Sequence, residues 1–375
     1  MNHILLIIFF LVSVSLFGQI KTKIEIEDEI INHFKNELWE DKTISKDSLY
    51  ATSDFEGTRF NVSISDDWID FEMNHFAIKN PYYDDRYDDS EYEEIQNRNY
   101  PKSHSVIYEN HLVSLFENGK FSCYNLETLE RNLSLENLLN TREFTSHWII
   151  DQKLVSISNN ETLIWNGQNW EKLPNEIPLR IRRMIYNDND FVVFMDCNGE
   201  WGGRVYFFDR LTKKTYYTKS TCANTVIKTK EGYEVLAQLG HMIGFSELKV
   251  IPDPRELPIF RFNKKIKLQN KKSEKNFYKK IDITGIQIFS KFFNRGEELL
   301  IIHIEDLTVI AKLEDKEFKI VNQLFLSDLY THNPITTQYG EKTLINLDYY
   351  GEGLDREVSV LIIDKNKITK LDWNK

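Results

Sequence analysis

One local pattern recurs along most of this chain: four to six apolar or β-branched residues, a polar turn, a second such run, an Asp or Asn corner and a third short run. Its copies are HLVSLFENGKFSCYNLETLE (His111 to Glu130), KLVSISNNETLIWNGQNWEKL (Lys153 to Leu173), DFVVFMDCNGEWGGRVYFFDRLTKKTYY (Asp190 to Tyr217), GYEVLAQLGHMIGFSELKVI (Gly232 to Ile251), EELLIIHIEDLTVIAKLEDKEFKIV (Glu297 to Val321) and KTLINLDYYGEGLDREVSVLIIDKNKITKL (Lys342 to Leu371). Short apolar runs bounded by Asn, Asp and Gly read as strands. A further strand precedes each copy: HSVIYEN (His104 to Asn110), SHWIID (Ser146 to Asp151), IRRMIYND (Ile181 to Asp188), NTVIKTK (Asn224 to Lys230), GIQIFSKFF (Gly285 to Phe293) and ITTQYG (Ile335 to Gly340).

The spacing of the copies constrains the architecture further. From Leu112 to Leu154 is 42 residues, to Val192 a further 38, to Val235 43, to Leu299 64 and to Leu344 45. Four short strands every 40 to 50 residues is the signature of a propeller blade. The expectation is an all-β fold, a β-propeller of six or seven four-stranded blades, with the strands of Thr58 to Phe76 as the seventh. A pair of β-sandwiches is the alternative and would show no constant spacing. The long interval holds IPDPRELP (Ile251 to Pro258) and a basic stretch, as one blade with an elaborated outer edge would. The chain resembles propellers of the WD40, kelch or quinoprotein kind over roughly residues 50 to 375. Asp209 and Asp364 end third strands where WD repeats place Trp-Asp, but no tryptophan precedes either, and no paired glycine of the kelch type recurs.

The flanks divide into residues 1–18, 19–49 and the propeller from 50 onward. Ile4 to Phe17 is a 14-residue apolar or small run, too short to span a bilayer and the right length for the core of a secretory signal. Cleavage after Gly18 is expected, although no Lys or Arg precedes the run and Leu16 is larger than the small residue preferred there. In outline this segment is similar to the signals of exported proteins of Bacteroidetes-type bacteria. The expected location is periplasmic or extracellular, with no stable membrane insertion after cleavage. Within Ile26 to Asp41, apolar residues at Ile30, Ile31, Phe34, Leu38 and Trp39 have helical spacing, so a short N-terminal helix packed on the main domain is expected.

A net charge of −11 argues against a nucleic-acid partner, because phosphate neutralisation needs Lys and Arg gathered on one face. The local basic excess, Lys264 to Lys280 within an insertion at 252–284, reads as a solvated segment. An acidic, tyrosine-rich loop fills 80–103. Its Asp84, Asp85, Asp88 and Asp89 lack the ordered spacing of a calcium loop, and no metal or cofactor is expected. Three cysteines cannot form a disulfide framework, and in an exported chain Cys197 and Cys222 are the pair that blade geometry would bring together.

In a propeller the turn between second and third strands emerges on the same face as the loop linking one blade to the next. Most such turns here are ordinary polar hairpins. Asp196-x-x-Gly199-Glu200 and Asp348-x-x-Gly351-Glu352 share a spacing, and the former continues into Trp201, Gly202, Gly203 and Arg204. An indole on a glycine-rich tip costs solubility unless it packs or binds. His241 falls at the matching turn of the next copy. Asp196, Glu200, Trp201, Arg204 and His241, with Asp348 and Glu352, are therefore the candidate ligand-binding residues; the alternative is that Trp201 folds back against a neighbouring blade while Asp196 and Glu200 cap backbone amides. Arg180, Arg182 and Arg183 lead into a first strand, where solvated positions are expected; the alternative is that they line the face or the central channel and attract an anion. No HExxH, Walker loop, GxGxxG or GxSxG occurs, so catalytic residues are not assigned. The reading is an exported binding or interaction module for a protein, peptide or glycan. The alternatives are a hydrolase or lyase acting on glycans or peptides at the same rim, and a structural partner in a cell-envelope assembly.

Overall fold

The computed structural model describes residues 22–37, 43–83, 100–102, 104–173, 177–178, 183–240, 244–261, 276–324, 329, 331, 334–350 and 356–374. Helix α1 (Lys23–Glu37) opens it, and a second helix, α2 (Leu133–Leu139), lies between the first two blades. Strands β1 (Tyr50–Ser53), β2 (Arg59–Ile64) and β3 (Glu72–Lys79) precede the repeats. Blade 1 holds β4 (Val106–Tyr108), β5 (His111–Leu115) and β6 (Phe121–Asn125). Blade 2 holds β7 (Ser146–Ile150), β8 (Lys153–Ser158), β9 (Glu161–Trp165) and β10 (Trp170–Lys172). Blade 3 holds β11 (Arg183–Asn187), β12 (Phe191–Cys197), β13 (Gly203–Asp209) and β14 (Thr215–Lys219). Blade 4 holds β15 (Ala223–Thr229), β16 (Gly232–Leu239), β17 (Phe245–Ile251) and β18 (Tyr278–Thr284). Blade 5 holds β19 (Gln287–Asn294), β20 (Glu297–Ile304), β21 (Leu307–Glu314) and β22 (Glu317–Gln323), and blade 6 β23 (Ile335–Tyr339), β24 (Lys342–Tyr350), β25 (Arg356–Asp364) and β26 (Lys367–Asn374).

The chain is thus a six-bladed β-propeller, each blade an antiparallel meander. In blade 1 the place of a fourth strand is taken by a single bridge between Tyr124 and Arg131. Five hairpins turn on two consecutive residues with positive φ: Glu109–Asn110, Asp151–Gln152, Asn159–Asn160, Glu305–Asp306 and Asp315–Lys316. That conformation matches the twist of paired strands and favours Asn and Asp, which the polar corners supply.

Alternation of side chains explains why the strands are almost continuously apolar. In β12, Phe191, Val193 and Met195 pack towards blade 4, whereas Val192 and Phe194 pack towards blade 2. In β20, Leu300, Ile302 and Ile304 face blade 4, and Leu299 and Ile301 face blade 6. A blade wedged between two neighbours has no wet face, so both registers of each strand must be hydrophobic. Another apolar cluster unites Leu344, Val360 and Leu371 with Ile107, Leu112 and Phe116, closing the ring between blades 6 and 1.

Polar rivets cross these interfaces close to the inner strands. His147 Nε2 donates to the Val113 carbonyl (3.0 Å), Asn187 Nδ2 to Ile149 (3.0 Å) and Asn224 Nδ2 to Ile288 (3.1 Å). Asn346 both donates to the Ser105 carbonyl (3.0 Å) and accepts from the Ser105 amide (2.8 Å), tying the last blade to the first.

The strands of Thr58 to Phe76 do not make a seventh blade. β2 pairs in parallel with β22, and β3 pairs in parallel with β26, so each adds an outer strand to an existing blade. Six blades already close the ring, and the outer edges of blades 5 and 6 supply the hydrogen-bonding surfaces that these strands occupy. α1 is capped by a reciprocal box, the Thr22 amide on Glu25 Oε2 (2.7 Å) and the Glu25 amide on Thr22 Oγ1 (3.3 Å). Its buried Ile30 and Phe34 join the core between blades 4 and 5. The segment after β17 runs back over blade 3, where the Phe260 amide donates to Thr215 (2.7 Å) and the Phe260 ring enters the core between blades 2 and 3. No helix among the described residues is long and apolar enough to cross a membrane. Residues 1–18, the four loop aspartates and most of the basic stretch lie outside the described residues, although Tyr278, Lys279 and Lys280 begin β18.

Candidate functional site

The turn that follows β12 is built by close backbone contacts. A 3-10 turn over Gly199–Trp201 is held by the Trp201 amide on the Asn198 carbonyl (3.1 Å) and the Gly202 amide on Gly199 (3.0 Å), while the Asn198 amide reaches back to Gly202 (2.8 Å). Gly202 has φ +84, and a Cβ on Gly203 would lie 2.3 Å from the Asp196 carbonyl oxygen. No other residue fits position 203. The turn lifts Trp201 clear of the fold, with 90% of its surface exposed.

Strand alternation sorts the remaining residues of this turn. Cys197 lies on the register of Val193 and Met195, facing blade 4, and is disulfide-bonded to Cys222, which directly precedes β15 (Cα–Cα 4.4 Å). Asp196 and Arg204 pair across β12 and β13 on the opposite register, with Tyr206 donating to Asp196 Oδ2 (2.5 Å). They face blade 2. Burial pushes the Tyr217 hydroxyl above its ordinary range, opposed by the nearby Arg204 guanidinium. Glu200 is exposed beside Trp201. His241, in the blade 4 turn, and Glu352 lie outside the described residues. Asp348 sits within β24 opposite Val358, in blade 6 across the axis from blade 3, and β24 runs two residues past it whereas β12 ends one residue past Asp196. The turn thus gathers Glu200 and Trp201 at an exposed tip and holds Asp196 and Arg204 on its blade 2 flank.

A second feature lies on the axis. β23 packs against β11 and β15 from across the ring, and its Ile335 enters the core between blades 3 and 4. That contact fills the centre on one side and leaves a cavity of about 360 Å³ among the inner strands of blades 1, 2, 3 and 6. Lys102, His104, His147 and Arg183 line it, together with Thr145, Tyr339 and others. Asn160, from the turn between β8 and β9, also borders it, and Arg183 pairs with Met195 near the end of β12. The cavity therefore shares the face of the second-to-third-strand turns.

The imidazoles in this cavity are held neutral. Burial, followed by the Arg183 charge and the proximity of the His147 imidazole, keeps His104 well below its ordinary value of 6.5. Burial brings His147 to about 4, partly opposed by its bond to Val113. The Tyr339 hydroxyl is pushed upward by burial. The Nε2 of His104 reaches no hydrogen-bond partner among the described residues. Arg183, expected at a solvated position with the channel as the alternative, lines the cavity, and neither the two histidines nor Lys102 were foreseen there. The signal was present: His104 and His147 stand at the heads of two aligned first strands, level with the arginines that head a third. Among the described residues no group of three His, Cys, Asp or Glu is arranged to hold a metal ion.

No family model matches the chain, and no curated protein matches it. Solved structures similar to it include PorZ, an essential bacterial surface component of the type-IX secretion system of Porphyromonas gingivalis, at 12% identity and TM-score 0.32, covering 72% of this chain and 32% of that one. The CNH domain of AfRom2 is similar at 10% identity and TM-score 0.32, covering 72% and 94%, and the N-terminal domain of Nup159 at 12% identity and TM-score 0.31, covering 70% and 72%. The chain spans about a third of the length of the PorZ structure. The six-bladed assignment rests on the strand order and the closed set of inter-blade cores rather than on these likenesses.

Proposed function

We propose that this propeller is an exported binding module that engages a protein, peptide or glycan partner through the face of its second-to-third-strand turns. The observation that carries the reading is Trp201: an indole 90% exposed on a turn locked by Gly203 and flanked by the Cys197–Cys222 disulfide. Tryptophan offers a large rigid ring with only two side-chain torsions to order, so it loses little conformational entropy for its area on binding, which is why it is enriched among interface anchors. The disulfide supports export, since such bonds persist in oxidising compartments. The hydrolase or lyase reading needs two ionisable groups converging in a concave pocket. The axial cavity is lined by none of Asp196, Glu200, Trp201 or Arg204, which favours binding over catalysis.

The test is a glycan and peptide array probed with the wild-type chain and with Trp201→Ala. Loss of an interface anchor is expected to weaken the selected ligand by roughly thirtyfold or more. Unchanged affinity of Trp201→Ala for every ligand retained by the wild type would remove the turn from the contact surface.

A further inference from the structure

The axial cavity is a separate place from the Trp201 turn, and its charge is opposite in sign to that of the molecule. The chain carries 58 acidic against 47 basic residues, yet among the described residues the cavity lining contains Lys102, Arg183, His104 and His147 and no Asp or Glu. Four elements supply these groups: the lead-in to β4, the inner strand β7, the inner strand β11 and, opposite them, β23 with the neutral hydroxyl of Tyr339. We propose that this cavity binds a small ligand through one anionic group, a carboxylate or a tetrahedral oxyanion, clamped between Arg183 and His104.

The chemistry follows from the groups present. Arg183 offers a fixed fork of N–H donors at the mouth, where its side chain is exposed, and Lys102 adds a second full charge. His104 is half-buried deeper in, and its Nε2, shielded from solvent, finds no protein partner among the described residues. A neutral imidazole in the Nε2–H tautomer donates one hydrogen bond, so an anion needs no protonated histidine to be held there. A buried imidazole nitrogen without a partner is costly, and in the Nε2–H tautomer an oxyanion at this point relieves that cost while being attracted by Arg183 and Lys102. Thr145 and Ser146 add hydroxyls to the lining, whereas Trp148, Ile149 and Met184 make the rest apolar, which suits an anion carried on a small organic body.

The experiment is isothermal titration calorimetry of the full chain with sodium sulfate and with sodium acetate, at ionic strength held constant with sodium chloride. Saturable binding of one or both at one site per chain is expected, and which of the two binds more tightly separates a tetrahedral oxyanion from a carboxylate. Arg183→Gln and His104→Ala are each expected to weaken binding about tenfold or more, as loss of a charge-assisted or buried hydrogen bond does. Trp201→Ala is expected to leave it unchanged, which separates this site from the turn. Lys102→Gln, at an exposed position, serves as a second test of the field should His104→Ala unfold. Absence of saturable binding for both anions overturns the proposal, and so does binding that survives both Arg183→Gln and Lys102→Gln at wild-type strength.

Discussion

His147 shows how far one residue's chemistry is set by its place in the ring. Its Nε2 donates to the Val113 carbonyl of the neighbouring blade, and burial brings its pKa to about 4 from an ordinary value of 6.5. His303, which bonds Thr308 Oγ1 at 2.9 Å, is likewise brought to about 4, chiefly by burial. Both values lie below those of the unfolded chain, so between pH 6.5 and 4 the unfolded chain binds more protons. Stability is therefore complete above about pH 6.5 and falls as pH drops towards 4, by on the order of 3 kcal/mol for each histidine. Carboxylates held low, such as Asp188 and Asp209, add their loss only below that window. Thermal denaturation followed from pH 7 to pH 4 should show the transition falling from about pH 6.5, and His147→Gln should flatten the fall. An identical pH profile for His147→Gln would mean that the histidine does not carry it. Neither the burial nor the bond to Val113 is visible in SHWIID, because both depend on which strand of blade 1 lies alongside.

Among the elements, the repeating strands were the most legible. Each first strand inferred from the sequence, from HSVIYEN to ITTQYG, corresponds to an inner strand, because a segment buried on both faces is largely apolar and its few buried polar residues, such as His147 and Asn224, are hydrogen-bonded. Helix α2 was not foreseen. Its seven residues are too few for helical periodicity to register, and it is fixed by Asn132 accepting from the Leu135 amide (3.0 Å) and by the buried Glu136 paired with Arg131. The turn after β12 is the element where a covalent bond crosses two blades. A disulfide closing a 25-residue separation contributes about 3 to 4 kcal/mol in the chain-entropy account. The double variant Cys197→Ser/Cys222→Ser should therefore unfold at lower denaturant concentration by about that free energy. Thiol titration of the wild-type protein in denaturant should find one reactive thiol, Cys123, rather than three.

At the scale of the whole molecule, the N-terminal strands act as a clasp outside the ring. β2 extends blade 5 and β3 extends blade 6, while α1 plugs the core between blades 4 and 5, so one short stretch of chain braces three consecutive blades. Removing residues 1–99 exposes the edges of β22 and β26 together with apolar surface that Ile30, Phe34, Phe60 and Val62 now cover. Unpaired strand edges of this kind template association. The truncated chain is expected to elute from size-exclusion chromatography as aggregates or to remain insoluble, and a monomer with unchanged thermal stability would contradict the clasp.

The sequence alone determined that the chain is a propeller, since apolar runs, polar hairpins and a period near 40 residues are local properties that survive without knowledge of neighbours. It also marked the Trp201 turn, because an aromatic among glycines departs visibly from the other copies. Blade number and the axial cavity were decided by tertiary structure. Whether Thr58 to Phe76 forms a blade or extends two others depends on which hydrogen-bonding edges remain open once the ring closes. Lys102, His104, His147 and Arg183 come from three separate repeats, and only the radial arrangement of first strands brings their basic groups to one axis, where they shape a field opposite to the net charge of the chain.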